Sequence, residues 1–248
     1  MAKESKISWT HATFNPWWGC TKVSPGCDRC YAETFSKRLG QKIWGPQSGR
    51  RFFGDKHWNE PKKWNTEAKT SGKSFRVFCA SMADVFEDRR DLDIHRERLF
   101  HLIDDTPALT WMVLTKRPEN MIRLAPTQWQ NGWPHNVWAG TIVEGKKQEE
   151  TRGSALADVP TLVHFYSVEP LLERLVLGNL PEWVIVGGES GAGCRPMDVE
   201  WARILQRQCY SENVPFFMKQ LGGYPNKRDQ IEDFPEDLRV QEFPSAIM

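Results

Sequence analysis

The stretch Leu109-Thr110-Trp111-Met112-Val113-Leu114-Thr115-Lys116-Arg117-Pro118 decides the fold. Its first six residues form a near-continuous apolar run, the mark of a strand buried on both faces. The last four abruptly turn polar. The same change recurs along the chain. Phe75–Ala80 runs into Ser81-Met82-Ala83-Asp84, and Asn136–Val143 reaches Glu144. Leu162–Ser167 reaches Glu169-Pro170, Trp183–Val186 opens into Gly187-Gly188-Glu189-Ser190, and Val214–Met218 reaches Lys219-Gln220. Ile7–Phe14 is an earlier candidate strand. Helix-compatible segments lie between: Leu92–Leu102, Glu119–Leu124 and Val199–Cys209. Six or seven strands alternating with helices predict a parallel sheet. Parallel α/β folds gather their chemistry at the C-terminal ends of strands. Polar residues at six such ends favour an α/β protein with a partial (β/α) barrel over an open doubly wound sheet.

The chain has 248 residues, 40% hydrophobic and 26% charged. That composition argues against wholesale disorder and supplies a core without disulfide staples. The expected organisation is a single barrel domain over residues 1–248. It carries an insertion at about 37–74 and an acidic, Pro-punctuated tail from about 229. No apolar run approaches the roughly 18–20 residues that span a bilayer. Met1 to Ile7 is charged and lacks the apolar core of a secretory signal. A cytoplasmic protein with no membrane partner is expected. Thirty-three basic and 32 acidic side chains give a net charge of +1. This excludes a globally basic surface that coats nucleic acid, though not a local basic patch.

Cys20, Cys27 and Cys30 form a tight group with spacing C-x6-C-x2-C, while Cys79, Cys194 and Cys209 are scattered. A secreted disulfide framework would spread its cysteines. Ser24-Pro25-Gly26 is turn chemistry that closes the loop. After Cys30, Tyr31, Phe35 and Leu39 recur at a helical spacing of four, and a helix start favours a thiolate. Three sulfurs suit a 4Fe–4S cluster with one iron left open for a non-protein ligand. They also suit a zinc ion closed by His11 or a distant cysteine, or three separate buried thiols.

A three-cysteine loop after the first strand of a partial barrel resembles the radical S-adenosylmethionine superfamily. More closely, the chain is similar to a three-cysteine-motif family of uncharacterised proteins from bacteriophages and bacteria. The matching residues are Thr13-Phe14-Asn15-Pro16-Trp17, Gly19-Cys20, Ser24-Pro25-Gly26-Cys27 and Cys30-Tyr31-Ala32. Others are Leu114 to Pro118, Ser167 to Leu172, Gly187 to Gly191, Arg195-Pro196-Met197 and Phe217 to Gln220. The resemblance implies a 4Fe–4S cluster on the three cysteines, fed by an electron donor. Its open iron would chelate S-adenosylmethionine, whose reductive cleavage yields a 5′-deoxyadenosyl radical. Three features depart from the superfamily's pattern. The first cysteine gap is six rather than three. Arg29, not an aromatic residue, precedes the third cysteine. Gly187-Gly188-Glu189 follows a late strand rather than the second. Acceptors for the amino group would be Ser81, Asp84 or a strand-end glutamate, and Lys116 and Arg117 are the cations for the carboxylate.

Glu144, Glu169, Glu189, Gly187 and Gly188 are the other candidate cofactor-binding residues. For each glutamate the alternative is a loop brace paired with Lys116, Arg117, Arg195 or Lys219. Gly187-Gly188 either lets backbone approach a ligand or makes a tight turn. Cys79 and Cys209 read as core residues; Cys194 sits in the Gly-rich loop after Glu189, with a fourth cluster ligand or a redox thiol as the minor alternative. His95, His101, His135 and His164 read as structural. Segment 37–64 is locally basic, with Lys37, Arg38, Lys42, Arg50, Arg51, Lys56, Lys62 and Lys63 against Asp55 and Glu60. Trp44, Phe52, Phe53, Trp58 and Trp64 are interleaved. Such a segment either binds single-stranded or damaged nucleic acid or a nucleotide, or packs its rings on the barrel. A zinc- or cluster-stabilised nucleic-acid-binding protein without turnover is the second functional expectation.

Overall fold

The computed structural model describes residues 5–245. Among them, seven strands form one sheet in sequence order: β1 (Ala12–Thr13), β2 (Phe75–Cys79), β3 (Leu109–Thr115), β4 (Val137–Ile142), β5 (Val163–Val168), β6 (Trp183–Gly187) and β7 (Phe216–Gln220). β1 with β2, β2 with β3, β5 with β6, and β6 with β7 pair in parallel. A doubly wound sheet reverses its strand order at a switch point, and this order never reverses. The protein is α/β with the topology of a partial (β/α) barrel. No described helix is long and apolar enough to cross a membrane.

The described chain divides into two compact units. The first holds the chain up to Val23, Ala32–Ala139 and Val159–Leu162. It contains β1 to β3 and the helices α2 (Asp55–Trp58), α3 (Glu60–Ser71), α4 (Asp93–Asp104) and α5 (Met121–Leu124), with most of α1 (Tyr31–Arg38). In β2 and β3, Val77, Phe78, Cys79 and Trp111 to Leu114 are buried, as apolar runs covered on both faces should be. Eight of the twelve tryptophans are buried, seven of them in this unit: Trp9, Trp17, Trp58, Trp64, Trp111, Trp129 and Trp133. The tryptophan excess is therefore mostly core. Trp9 lies 4.6 Å from Phe78, and Phe14 meets Trp111 edge-on at 5.7 Å. Within segment 37–64, Trp58 and Trp64 pack inward and Arg50 is buried, so these three are unavailable to any external ligand. β1 is shorter than Ile7–Phe14 because Thr10 N–H turns back to the Ile7 carbonyl. α5 stops before Ala125-Pro126, since proline disfavours helix in the residue preceding it.

The second unit holds Ser24–Tyr31, Gly140–Asp158 and Val163 onward. It contains β5 to β7, α6 (Lys146–Gln148), α7 (Ser154–Ala157) and α8 (Val199–Ser211). A π-helical turn, Glu149–Gly153, joins α6 to α7. α8 starts at Asp198, whose carboxylate accepts the Glu200 N–H, and it buries Ala202, Leu205 and Cys209 on one stripe. In β4, a Cβ on Gly140 would lie 2.3 Å from the Phe165 ring, so this aromatic packs only against glycine. The acidic segment from Asp229 buries Phe234 and Leu238. Beyond them, Met218 N–H donates to the Val240 carbonyl and Glu242 N–H to that of Phe216.

Candidate functional site

Cys20 hangs just beyond β2 in the first unit. Gly19 N–H donates to the Met82 carbonyl at 2.9 Å and bridges to Ala83. Gly19 has φ of +112°, and a Cβ there would meet the Ile43 carbonyl at 2.3 Å, so the approach requires glycine. Two buried arginines then fix the cysteine's arm. Arg117, from the end of β3, donates to the Thr21 carbonyl at 2.7 Å and to Cys20 Sγ at 3.8 Å. Arg50 donates to Thr21 Oγ1 at 3.1 Å, to four carbonyls between Ile43 and Gly49, and to both Glu87 oxygens.

Asp84 holds Arg117 in place. Its carboxylate accepts from Arg117 Nη1 at 2.7 Å, Thr115 Oγ1 at 2.6 Å, and the backbone N–H groups of Phe86 and Lys116. Burial, then the neighbouring Asp84 carboxylate, push the Cys20 thiol up to about 12, against the pull of Arg117. Ser81 accepts from Asn15 Nδ2, and Asn15 Oδ1 accepts the Met82 N–H. Lys116 is half-buried.

The arm carrying Cys27 belongs to the second unit. Pro25–Cys27 forms a 3-10 turn closed by Cys27 N–H on the Ser24 carbonyl. Ser24 Oγ donates to Glu144 Oε1 at 2.6 Å and lies 3.8 Å from Cys27 Sγ. Glu144 follows β4 and is only 2% exposed. Its other oxygen accepts from Arg152 Nη1 at 2.8 Å, and the same nitrogen donates to the Ile142 carbonyl. The π-helical turn supplies this buried arginine. Gly26 abuts the Glu144 carboxylate, where a Cβ would fall 2.4 Å from Oε1.

A second clamp comes from β6. Glu189 accepts from Arg195 Nη2 at 2.5 Å, Nε at 3.0 Å and the backbone N–H at 2.8 Å, and from Arg29 at 3.4 Å. Arg195 also donates to the Pro25 carbonyl at 3.1 Å. Burial disfavours the Glu189 charge, but the Arg195 hydrogen bonds outweigh it and hold the carboxyl below its usual range. Gly188 N–H donates to the Gln220 carbonyl, and a Cβ on Gly188 would strike the Leu221 carbonyl at 2.3 Å. Gly187 packs against Glu169 and Gln220. The two glycines thus serve a close backbone approach to the segment after β7. Glu169 pairs with Lys219 at 2.5 Å, each 18% exposed.

All three strand-end glutamates therefore carry a basic partner, two of them (Arg195 and Lys219) from the expected set. Glu144 instead takes Arg152. Glu87 and Arg152 went unmarked in the sequence, and Arg50 and Ser24 were marked only as part of a basic segment and of a turn, because nothing local shows which polar groups will be buried together. Cys30 is half-buried directly before α1, and Cys194 is half-buried in a turn closed on Gly191. Cys79 and Cys209 are core residues. His11 accepts the Arg76 N–H on Nδ1 beside the start of β2, whereas Cys20 lies past its end. That placement argues against His11 as a zinc ligand with Cys20. His164 pairs with Glu182, and His95 stacks on Phe52.

All six cysteines are free thiols. Among the described residues, no three His, Cys, Asp or Glu side chains are gathered as a metal site. By donor chemistry Cys20, Cys27 and Cys30 fit an iron–sulfur cluster. None of them is in a disulfide, all three are half-buried, Arg117 donates toward the Cys20 sulfur, and the Cys27 sulfur lies within hydrogen-bond reach of the Ser24 hydroxyl oxygen. The indole N–H groups of Trp17 and Trp18, just before Gly19-Cys20, are buried without an acceptor among the described residues.

No curated protein and no solved structure shows significant similarity to the chain. A family model described as "Protein of unknown function (DUF5131)" matches residues 4–241, nearly the whole chain, and the protein belongs to that family.

Proposed function

We propose that the protein is a cytoplasmic iron–sulfur enzyme of the radical S-adenosylmethionine type that acts on nucleic acid or a nucleotide. Cys20, Cys27 and Cys30 hold the cluster. The observation that carries this reading is that strand-end charges are spent on the cysteine loop. In the first unit Asp84 and Arg117 fix the Cys20 arm. In the second, Glu144 with Arg152, and Glu189 with Arg195, fix the Ser24–Pro25 turn that carries Cys27. A loop that merely connected two elements would not need buried ion pairs, which cost desolvation to build.

When bound, the cluster supplies one electron to cleave S-adenosylmethionine. The chain's own residues do the rest. Arg117 donates a hydrogen bond to the Cys20 sulfur, a contact that tunes a cluster ligand. Ser24 lies beside the Cys27 sulfur. Lys116 after β3, and Glu169 with Lys219 in the second unit, are half-buried rather than sealed. Lys116 is assigned to the carboxylate group of the cofactor and Glu169 to its amino group. Ser81 follows β2 in the first unit, and in the second Gly187 ends β6 and Gly188 follows it.

The test is the metal and acid-labile sulfide content of protein purified without oxygen, beside a Cys20→Ala, Cys27→Ala, Cys30→Ala variant. About four irons and four sulfides per chain, lost in the variant, are expected. About one zinc without sulfide would overturn the reading in favour of a zinc-stabilised binding protein.

A further inference from the structure

In the first unit, α1 leaves an apolar face uncovered. Phe35 is 45% exposed and Leu39, just past the helix, 51%. Arg38 shares that face, because residues three and four apart are neighbours on a helix. Phe35 continues into a row of rings. It meets Trp18 edge-on at 6.0 Å, and Trp18 meets Phe53 edge-on at 5.8 Å. The exposed Arg51 lies over this row, its guanidinium carbon 4.8 Å from the Trp18 ring centre and 5.4 Å from that of Phe53. Trp18 is two residues from Cys20.

The cations beside these rings differ from their neighbours. Lys37 is paired with Glu33, Lys62 with Asp105, and Arg50 with Glu87. Arg38 and Arg51 form no ion pair among the described residues. A face built to bury a protein partner would be apolar at its centre with charges depleted there. Here the unpaired guanidinium of Arg51 sits over the rings themselves, and Arg38 lies on the helix face beside Phe35. That alternation matches a polymer in which flat bases alternate with phosphates.

We infer that this face binds single-stranded nucleic acid, with bases stacking on the exposed Phe35 ring beside the Trp18–Phe53 row that Arg51 covers, and phosphates meeting Arg38 and Arg51. The inference rests on the proposed nucleic-acid substrate and does not need the cluster. Duplex nucleic acid is a poor fit, because its bases are already stacked on one another.

The test is fluorescence anisotropy of a labelled oligothymidylate or oligouridylate of about 16 nucleotides, with the full chain and with a duplex as comparison. The single strands should bind more tightly than the duplex. Their affinity should fall steeply between about 50 and 200 mM salt. Phe35→Ala should weaken binding roughly 5- to 150-fold. Arg51→Gln should lower the salt slope by about 1. Circular dichroism confirms that both variants fold. The triple cysteine variant is measured in parallel. If it lacks iron and still binds, the face stands apart from the cluster. If zinc replaces iron in the wild type and binding persists, the enzyme reading falls and this one survives. Equal affinity in Phe35→Ala and wild type, no binding at low salt, or self-association of the chain abolished by Leu39→Lys, would each overturn the inference.

Discussion

Asp84→Asn removes one negative charge with almost no change in volume, and it should destabilise the protein by several kcal/mol, on the order of 3–5. Asp84 is 5% exposed and its partner Arg117 7%. The asparagine oxygen can keep the bonds from Thr115 and Phe86, which converge on Oδ1. Its amide nitrogen then faces Lys116 N–H and Arg117, so donors meet donors. Arg117 stays charged and buried with only the Thr21 carbonyl and the Cys20 sulfur. The size of the loss is that of a buried pair broken from one side. For a chain of this size it corresponds to a fall in Tm of roughly 6–20 °C. Urea unfolding of the metal-free protein measures the loss directly. A double-mutant cycle with Arg117→Met separates coupling from packing. Asp84→Asn together with Arg117→Met should cost less than the sum of the singles by at least about 1 kcal/mol. A single-variant loss below about 1 kcal/mol, or an additive cycle, would refute the claim that this pair braces the Cys20 arm.

The second unit yields two further expectations. Glu189 has a folded pKa below its unfolded one, so its contribution is complete above the unfolded value, about 4.3, and fades as pH falls through the folded value. The stability gap between wild type and Arg195→Gln should therefore be widest near neutral pH and shrink as the pH falls below the unfolded value; a gap independent of pH would contradict the assignment. Gly26→Ala places a methyl against the Glu144 carboxylate and should break the Ser24 hydrogen bond, costing about 1–3 kcal/mol and lowering iron retention in a chelator challenge, whereas Gly54→Ala, with extended backbone and open space where its methyl would go, controls for the handling of the protein and should retain iron.

Six of the strands were legible because each is a short apolar run ended by polar residues, whereas β1, Ala12–Thr13, is only a fragment of the candidate run Ile7–Phe14. The helix-compatible segments between the runs pointed to a parallel sheet. The fate of the strand-end charges was harder to read. The sequence names Glu144 and Glu189 but not Arg152, eight residues downstream, or the Ser24 hydroxyl 120 residues upstream. Such partners are set by folding, not by local pattern. Arg152 is further hidden because it lies in a π-helical turn, where the helical spacing rule fails. The stripe Tyr31, Phe35, Leu39 predicted α1 correctly, yet all three residues are exposed. Periodicity reports that a helix has an apolar face and is silent on what covers it.

The backbone bonds that join Met218 to Val240 and Glu242 to Phe216 bear on the edge of the sheet. β1 and β7 end the sheet, and a terminal strand offers unpaired amide and carbonyl groups on which a foreign chain can add. At one end β1 is two residues long, too short a template. At the other, the segment around Val240 to Glu242 already occupies hydrogen-bonding positions along Phe216 to Met218. An apolar strand reading Phe216-Phe217-Met218 would otherwise be a seed for aggregation. The stretch Val240 to Glu242 thus caps the edge that β7 would otherwise present.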